Sequence, residues 1–169
     1  MMCFLVFGTL LIAFASAGTP HEYWTLLPTT EAGKMNQPCS RPFPAGLVGS
    51  WEPSEADIER AEAKLSGAIK AAFLLLRPED RRQSPDRYYR QYAGFLRDGK
   101  RVLYVNAVSI DDVERPPGNS MSHEWRQRIV NICDGGSVSF GAVYDLDKDA
   151  IDSFFFNGTV AGRLPGGGW

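Results

Sequence analysis

Cysteine, histidine and net charge are all scarce in this chain. Among 169 residues there are 3 cysteines and 2 histidines, and 18 Lys+Arg face 20 Asp+Glu for a formal charge of −2. So few cysteines exclude a disulfide-dense miniprotein. A near-neutral balance gives no global pull toward nucleic acid or an anionic membrane. No apolar run reaches the roughly 20 residues of a comfortable transmembrane helix, which excludes a polytopic membrane protein. Several motifs are missing too: there is no Gly-x-Ser-x-Gly, no P-loop and no dinucleotide-binding fingerprint. What is present is ordinary globular composition, 44% hydrophobic and 22% charged, which argues against a disordered or collagen-like chain.

The first residues speak to compartment. Residues 3–15 are apolar and uncharged, and Ala15-Ser16-Ala17 follows as a small-x-small site. That pattern is a secretory signal peptide over residues 1–17, although Lys and Arg are missing before the apolar run. The expectation is an exported protein, periplasmic or extracellular, with no stable membrane insertion after cleavage. Cys3 would leave with the signal. Cys39 and Cys133 would remain and pair in an oxidising compartment.

Four segments follow from the pattern. Residues 18–53 hold Pro20, Pro28, Pro38, Pro42, Pro44 and Pro53, too many for a regular helix or a central strand. They also hold Tyr23, Trp24, Leu26, Leu27, Phe43 and Trp51, too apolar for a free tail. An arm packed on the domain is expected. Residues 54–160 form one α+β domain, and residues 161–169 a glycine-rich flexible tail. Within the domain, Ser54 and Asp57 make a capping box. Ile58, Ala61, Leu65, Ala68, Ile69, Ala72, Phe73 and Leu76 then form one helical stripe that Arg77 and Pro78 close. After residue 86 the period becomes two. Strands are expected at 88–97 and 100–109 around an Asp98-Gly99 turn, and then at 126–133, 137–145 and 151–157.

One long N-terminal helix followed by a four- to five-stranded antiparallel meander is therefore the expected fold, with the helix stripe buried on the sheet. Leu103, Val105 and Ala107, or Val138, Phe140, Ala142 and Tyr144, are the candidate helix-facing rows. This order resembles the cystatin-like or NTF2-like architecture over roughly residues 54–157. The likeness is one of topology. Gln91-Tyr92-Ala93-Gly94 is similar to the cystatin Gln-x-Val-x-Gly, but it is one residue short, lacks the valine and falls inside a strand. No residue role carries over.

Candidate sites are sparse. The break at 110–125 is long enough to be functional and contains His123, Glu124 and Trp125. His123 is a possible base or metal ligand, yet Ser122-His123-Glu124-Trp125 lacks the second histidine of a zinc hydrolase. Asp145, Asp147, Asp149 and Asp152 alternate like a calcium loop, but Ala150 stands where glycine is needed and Phe156 where glutamate is. A Cys133–His123 thiol dyad competes with the disulfide. Asn157-Gly158-Thr159 is a glycosylation sequon. No cofactor and no metal site is expected.

The leading expectation is a non-catalytic binding, inhibitor or immunity-type module acting on a secreted or envelope protein, with Trp125 as the natural anchor. The alternative is a small-ligand-binding protein or small enzyme. Its pocket would lie on the second sheet face, lined by Arg90, Tyr92, Tyr104, Asn106 and Asn131. The balance leans away from an enzyme and from nucleic acid.

Overall fold

The computed structural model describes residues 22–82, 84–114 and 124–158. The expected signal peptide and the glycine-rich tail lie outside these residues. The architecture is α+β: few helices and a mostly antiparallel six-stranded sheet. In chain order come β1 (Trp24–Leu26), α1 (Thr29–Ala32), β2 (Leu47–Trp51), α2 (Glu55–Leu74), β3 (Tyr88–Arg97), β4 (Lys100–Ser109), α3 (Ile110–Glu114), β5 (Ser139–Asp145) and β6 (Ala150–Phe156). Neighbours run β1-β3-β4-β5-β6, and β2 pairs with the same edge of the sheet as β1, further along β3. The β1–β3 pair is parallel, and all the others are antiparallel.

Helix α2 forms where the apolar stripe lies. Asp57 N–H donates to Ser54 Oγ at 3.2 Å and Ser54 N–H donates to Asp57 Oδ2 at 3.0 Å, a reciprocal cap. Ile58, Ala61, Leu65, Ile69, Ala72 and Phe73 are buried. They pack with Leu103, Val105 and Ala107 of β4 and Phe140, Ala142 and Tyr144 of β5. Both candidate rows thus face the helix, except that Val138 falls in a 3-10 turn at Gly136–Val138. The β3–β4 hairpin turns on Asp98 and Gly99, both at positive φ, as a two-residue turn of the primed kind requires.

Four expectations need correction. The long helix is not N-terminal, because β1, α1 and β2 precede it. The sheet has six strands because the proline-rich segment contributes two short ones, β1 and β2, both on the outer edge of β3 and both in proline-free stretches between its prolines. No strand forms over 126–133. There the backbone bonds to side chains instead: Ile129 N–H to Glu31 Oε2 at 3.3 Å and Val130 N–H to Gln91 Oε1 at 3.0 Å. β4, the strand that precedes the segment, is already paired on both sides by β3 and β5, so residues 126–133 cannot follow it in the meander. The helix terminus also differs. Arg81, not Arg77, donates to the terminal carbonyls of Leu74 and Leu76, while Arg77 binds Asp80.

Residues 22–51 cover the face of the sheet opposite α2. Leu27, Ala32 and Met35, with Phe43 and Leu47, pack on Ala93, Phe95, Val102, Tyr104 and Val143. A disulfide joins Cys39 to Cys133 across a sequence separation of 94.

Candidate functional site

Beneath this covering segment lies a buried polar node centred on Arg41. Its Nε donates to the Tyr104 hydroxyl at 3.2 Å and Nη1 to Ser139 Oγ at 3.3 Å. Further guanidinium bonds reach Asn157 Oδ1 and Asn106 Oδ1. Asn106 passes the network on, donating to Gln91 Oε1 at 2.7 Å and to the Val130 carbonyl at 2.8 Å. Gln91 in turn donates to the Arg128 carbonyl at 2.6 Å. Gly141 makes room for this cluster: a Cβ there would stand 2.5 Å from the Tyr104 hydroxyl and 2.6 Å from Arg41 Nε. Among the described residues Arg41 forms no ion pair with a carboxylate. Its charge is held by neutral oxygens, an arrangement that fastens the segment because Arg41, Tyr104, Ser139, Asn106, Gln91 and Asn157 satisfy one another and the neighbouring backbone.

A solvent-facing groove lies at the sheet edge where β3 changes partner. Leu27 N–H closes the β1 side by bonding the Tyr92 carbonyl at 3.0 Å, and β2 takes over at Trp51, opposite Gly94. Between them opens a groove of about 390 Å³ with Ala93 and Gly94 as its floor. Leu26, Leu27, Pro28, Thr29 and Ala32 form one wall, and Ser50, Trp51, Glu52 and Pro53 the other. The Trp51 wall is rigid. Its indole N–H donates to the Phe95 carbonyl at 3.0 Å and to the Val102 carbonyl at 3.2 Å. Arg101 sits 5.0 Å from the ring centroid, within cation–π range. Gly94 is required here, because an added Cβ would meet the Trp51 carbonyl oxygen at 2.4 Å. Glu52 is the one charged residue of the lining. The groove can therefore take an apolar group and offer a carboxylate to a neighbouring cation.

The residues singled out from sequence fall elsewhere, and not together. Arg90 and Tyr92 lie on the helix side, where both bond Glu62 Oε1 at 2.6 Å. Burial and then the Glu62 charge push the Tyr92 phenol well up from its ordinary value. Tyr104 and Asn106 lie on the opposite side, inside the Arg41 node. Asn131 is exposed and ties residues 37–39, accepting from Cys39 N–H at 3.1 Å and donating to the Gln37 carbonyl at 3.1 Å. Two of these side chains thus lie on one side of the sheet and two on the other, so the five do not converge, and among the described residues Arg41 and its apolar neighbours cover the second sheet face. Trp125 is only 3% exposed. Tyr89 stacks on it at 4.2 Å and Arg126 lies 4.4 Å from its ring centroid, so the ring is a packing element and not an outward anchor. Glu124 is exposed and paired with Arg128 at 3.2 Å. His123 lies outside the described residues.

Other sequence features resolve in the same way. Cys133 is in the disulfide, so it offers no thiol. The Asn157 side chain is buried and bonded to Arg41 and to the Ile132 carbonyl, which leaves no free amide for a glycan in the folded chain. The acidic turn is consumed by cations. Asp149 meets Lys64 at 2.9 Å, Asp145 and Asp152 share Arg97, and Lys148 binds both. The Tyr144 hydroxyl and Lys64 draw the Asp149 carboxyl down to about 2. No His, Cys, Asp and Glu grouping able to hold a metal occurs among the described residues. Nor, among them, is any helix long and apolar enough to cross a membrane.

Sequence reasoning missed the groove and Arg41. The only signal for the groove was two prolines, Pro28 and Pro53, beside Leu26-Leu27 and Trp51. Compared with known protein families, curated proteins and solved structures, the chain matches none.

Proposed function

We propose that the protein is an exported, non-catalytic binding module that engages another secreted or envelope protein by seating an apolar segment of that partner in the groove between α1 and the end of β2. The observation that carries this reading is the groove itself: walls of Leu26, Leu27, Pro28 and Trp51, the last fixed by two indole hydrogen bonds, around a floor of Ala93 and Gly94. A preformed apolar site costs little ordering on binding, which favours affinity. Glu52 at the rim selects a partner segment with a cation beside its apolar residue. The Cys39–Cys133 disulfide is compatible with an oxidising compartment, which supports export. The core of α2 on sequential antiparallel strands fits a cystatin-like or NTF2-like arrangement as the finer description of the fold.

The test is capture with the oxidised protein from secreted and envelope fractions, beside variants that fill the groove. Thr29 and Ser50 are exposed wall residues, so Thr29→Trp and Ser50→Trp should block the groove and leave the core intact. One stoichiometric partner lost in both variants supports the reading. A partner retained equally by both sinks it. A second reading rests on the groove's volume, which lies within the roughly 300–1,000 Å³ typical of small-molecule sites. A small apolar cation that raises Tm in the parent chain, but not in Ser50→Trp, would favour that reading.

A further inference from the structure

We propose that the C-terminal end of α2 is a peripheral docking surface for anionic lipid. Leu74 and Leu75 are 75% and 52% exposed, side by side where the helix ends, while their neighbours Phe73 and Leu76 turn into the core. Two exposed leucines alone are unremarkable on a soluble domain. Their electrostatic setting is what distinguishes them. Between Lys70 and Arg87 there are five cations and three carboxylates, in a chain whose overall charge is −2. Lys70, Arg77 and Arg87 are matched by Asp86, by Asp80 with Glu79, and by Asp111. Arg81 and Arg82 meet no carboxylate among the described residues. Arg81 is held in place by donating to the Leu74 carbonyl at 3.3 Å and the Leu76 carbonyl at 2.9 Å. Its charge is therefore fixed beside the exposed leucines, at the negative end of the helix dipole.

A guanidinium held at two projecting leucines and paired with no carboxylate, Arg81, followed in the chain by a second exposed arginine without a carboxylate partner, Arg82, matches the chemistry of a membrane interface. The leucines need an apolar phase, which a soluble polyanion does not offer. The arginines need negative headgroups, which a zwitterionic bilayer does not offer. Each cation near an anionic surface strengthens partition about fivefold, and burial of the leucine pair contributes at least tenfold. The surface lies outside the groove of the proposed function, since none of its residues lines that groove, and it stands or falls separately.

The test uses the full chain with vesicles of phosphatidylcholine alone or mixed with phosphatidylglycerol. Any contribution of the apolar residues 3–15 is common to both vesicle types and to every variant. Sedimentation should show stronger partition into the phosphatidylglycerol vesicles. Leu74→Ser/Leu75→Ser should lower that partition about tenfold or more, and Arg82→Gln about fivefold. Hydrogen exchange at residues 74–82 should slow with the anionic vesicles and not with the neutral ones. All three substituted side chains are exposed, so unchanged thermal melting will show that the variants fold. Equal protection by both vesicle types would overturn the proposal. So would partition that is lost in Arg82→Gln but unchanged in the leucine variant, which would assign the patch to a soluble polyanion.

Discussion

The two faces of the sheet are held down by different physics. On one, α2 lays Ile58, Ala61, Leu65 and Ile69 on apolar rows of β4 and β5, so the contact is close-packed and non-directional. On the other, residues 22–51 are fastened by the Arg41 node, a small apolar cluster and a disulfide. Polar bonds of that kind demand particular partners, and an unmet partner is costly. A helix stripe can tolerate a volume-conserving exchange, whereas a guanidinium gripped by four side chains has no close substitute.

The largest expected effect breaks this contrast from the second face. Reducing the Cys39–Cys133 bond, which spans 94 residues, should lower stability by about 4–5 kcal/mol on the chain-entropy account. Denaturant unfolding measures the loss, and hydrogen exchange shows where it falls. Exchange should accelerate across 22–51 before it does in α2. Equal acceleration in both regions would mean that the two faces unfold as one unit.

Next come paired substitutions, one per face. Leu65→Ala should cost about 3 kcal/mol, within the range for core leucines. Arg41→Met should cost about 2–3 kcal/mol, because Asn106, Asn157 and Ser139 lose a charged donor while the buried volume stays filled. The comparison sharpens with Leu65→Met and Arg41→Lys. The first should cost under about 1.5 kcal/mol. The second should remain nearly as damaging as Arg41→Met, because an ammonium cannot reach the same set of oxygens. An Arg41→Lys protein of parental stability would show that charge alone, and not the planar fork, fastens this face.

The cap of α2 contributes less. Ser54→Ala should cost about 1 kcal/mol and speed exchange in the first turn only.

Acid should act on ion pairs at the margins of both faces. On the helix side, the Tyr144 hydroxyl and Lys64 hold Asp149 down to about 2. On the other side, burial raises the Asp145 and Asp152 carboxyls. The bonds from Lys148, joined by Arg97 at Asp152, outweigh that burial and leave both lowered. Each carboxyl binds a proton less readily folded than unfolded. Its stabilisation is therefore complete above the unfolded aspartate value of about 3.9. It disappears as pH falls toward the folded values, reaching about 2 for Asp149. Melting temperature from pH 5 to 2 should fall steadily, and Asp149→Asn should flatten the lowest part of that fall. A slope unchanged in Asp149→Asn would remove the helix-side pair from the account.

How much could be read in advance differs between the faces for the same reason. The helix, its cap and the 88–109 hairpin follow from local rules: a 3.6-residue stripe, a Ser–Asp box, and Asp-Gly between alternating runs. Strand β5 was placed with its start two residues early, because Gly136–Val138 tightens into a 3-10 turn. Residues 126–133 alternate like a strand but pair with none, since alternation reports only that one side is buried. Val130 does pack, with Val108, Val113 and Trp125. Asn106 and Asn131 stood out as polar residues suited to lining a pocket. Their actual work is internal bonding, and a sequence does not distinguish a ligand-facing amide from one satisfied by the protein.

By itself, then, the sequence determined the elements whose information is carried by neighbours a few residues apart. It determined α2, the main hairpin, the helix-facing rows of β4 and β5, and the pair of cysteines free to bond if Cys3 is removed. Tertiary structure alone decided that a proline-rich segment would add two edge strands, that Arg41 would be buried among neutral oxygens, and that a groove would open at Ala93 and Gly94. Those outcomes depend on contacts between residues some 40 to 116 positions apart. At such separations no periodicity survives, because what sets each contact is the space and the unmet hydrogen bonds that the other elements leave behind.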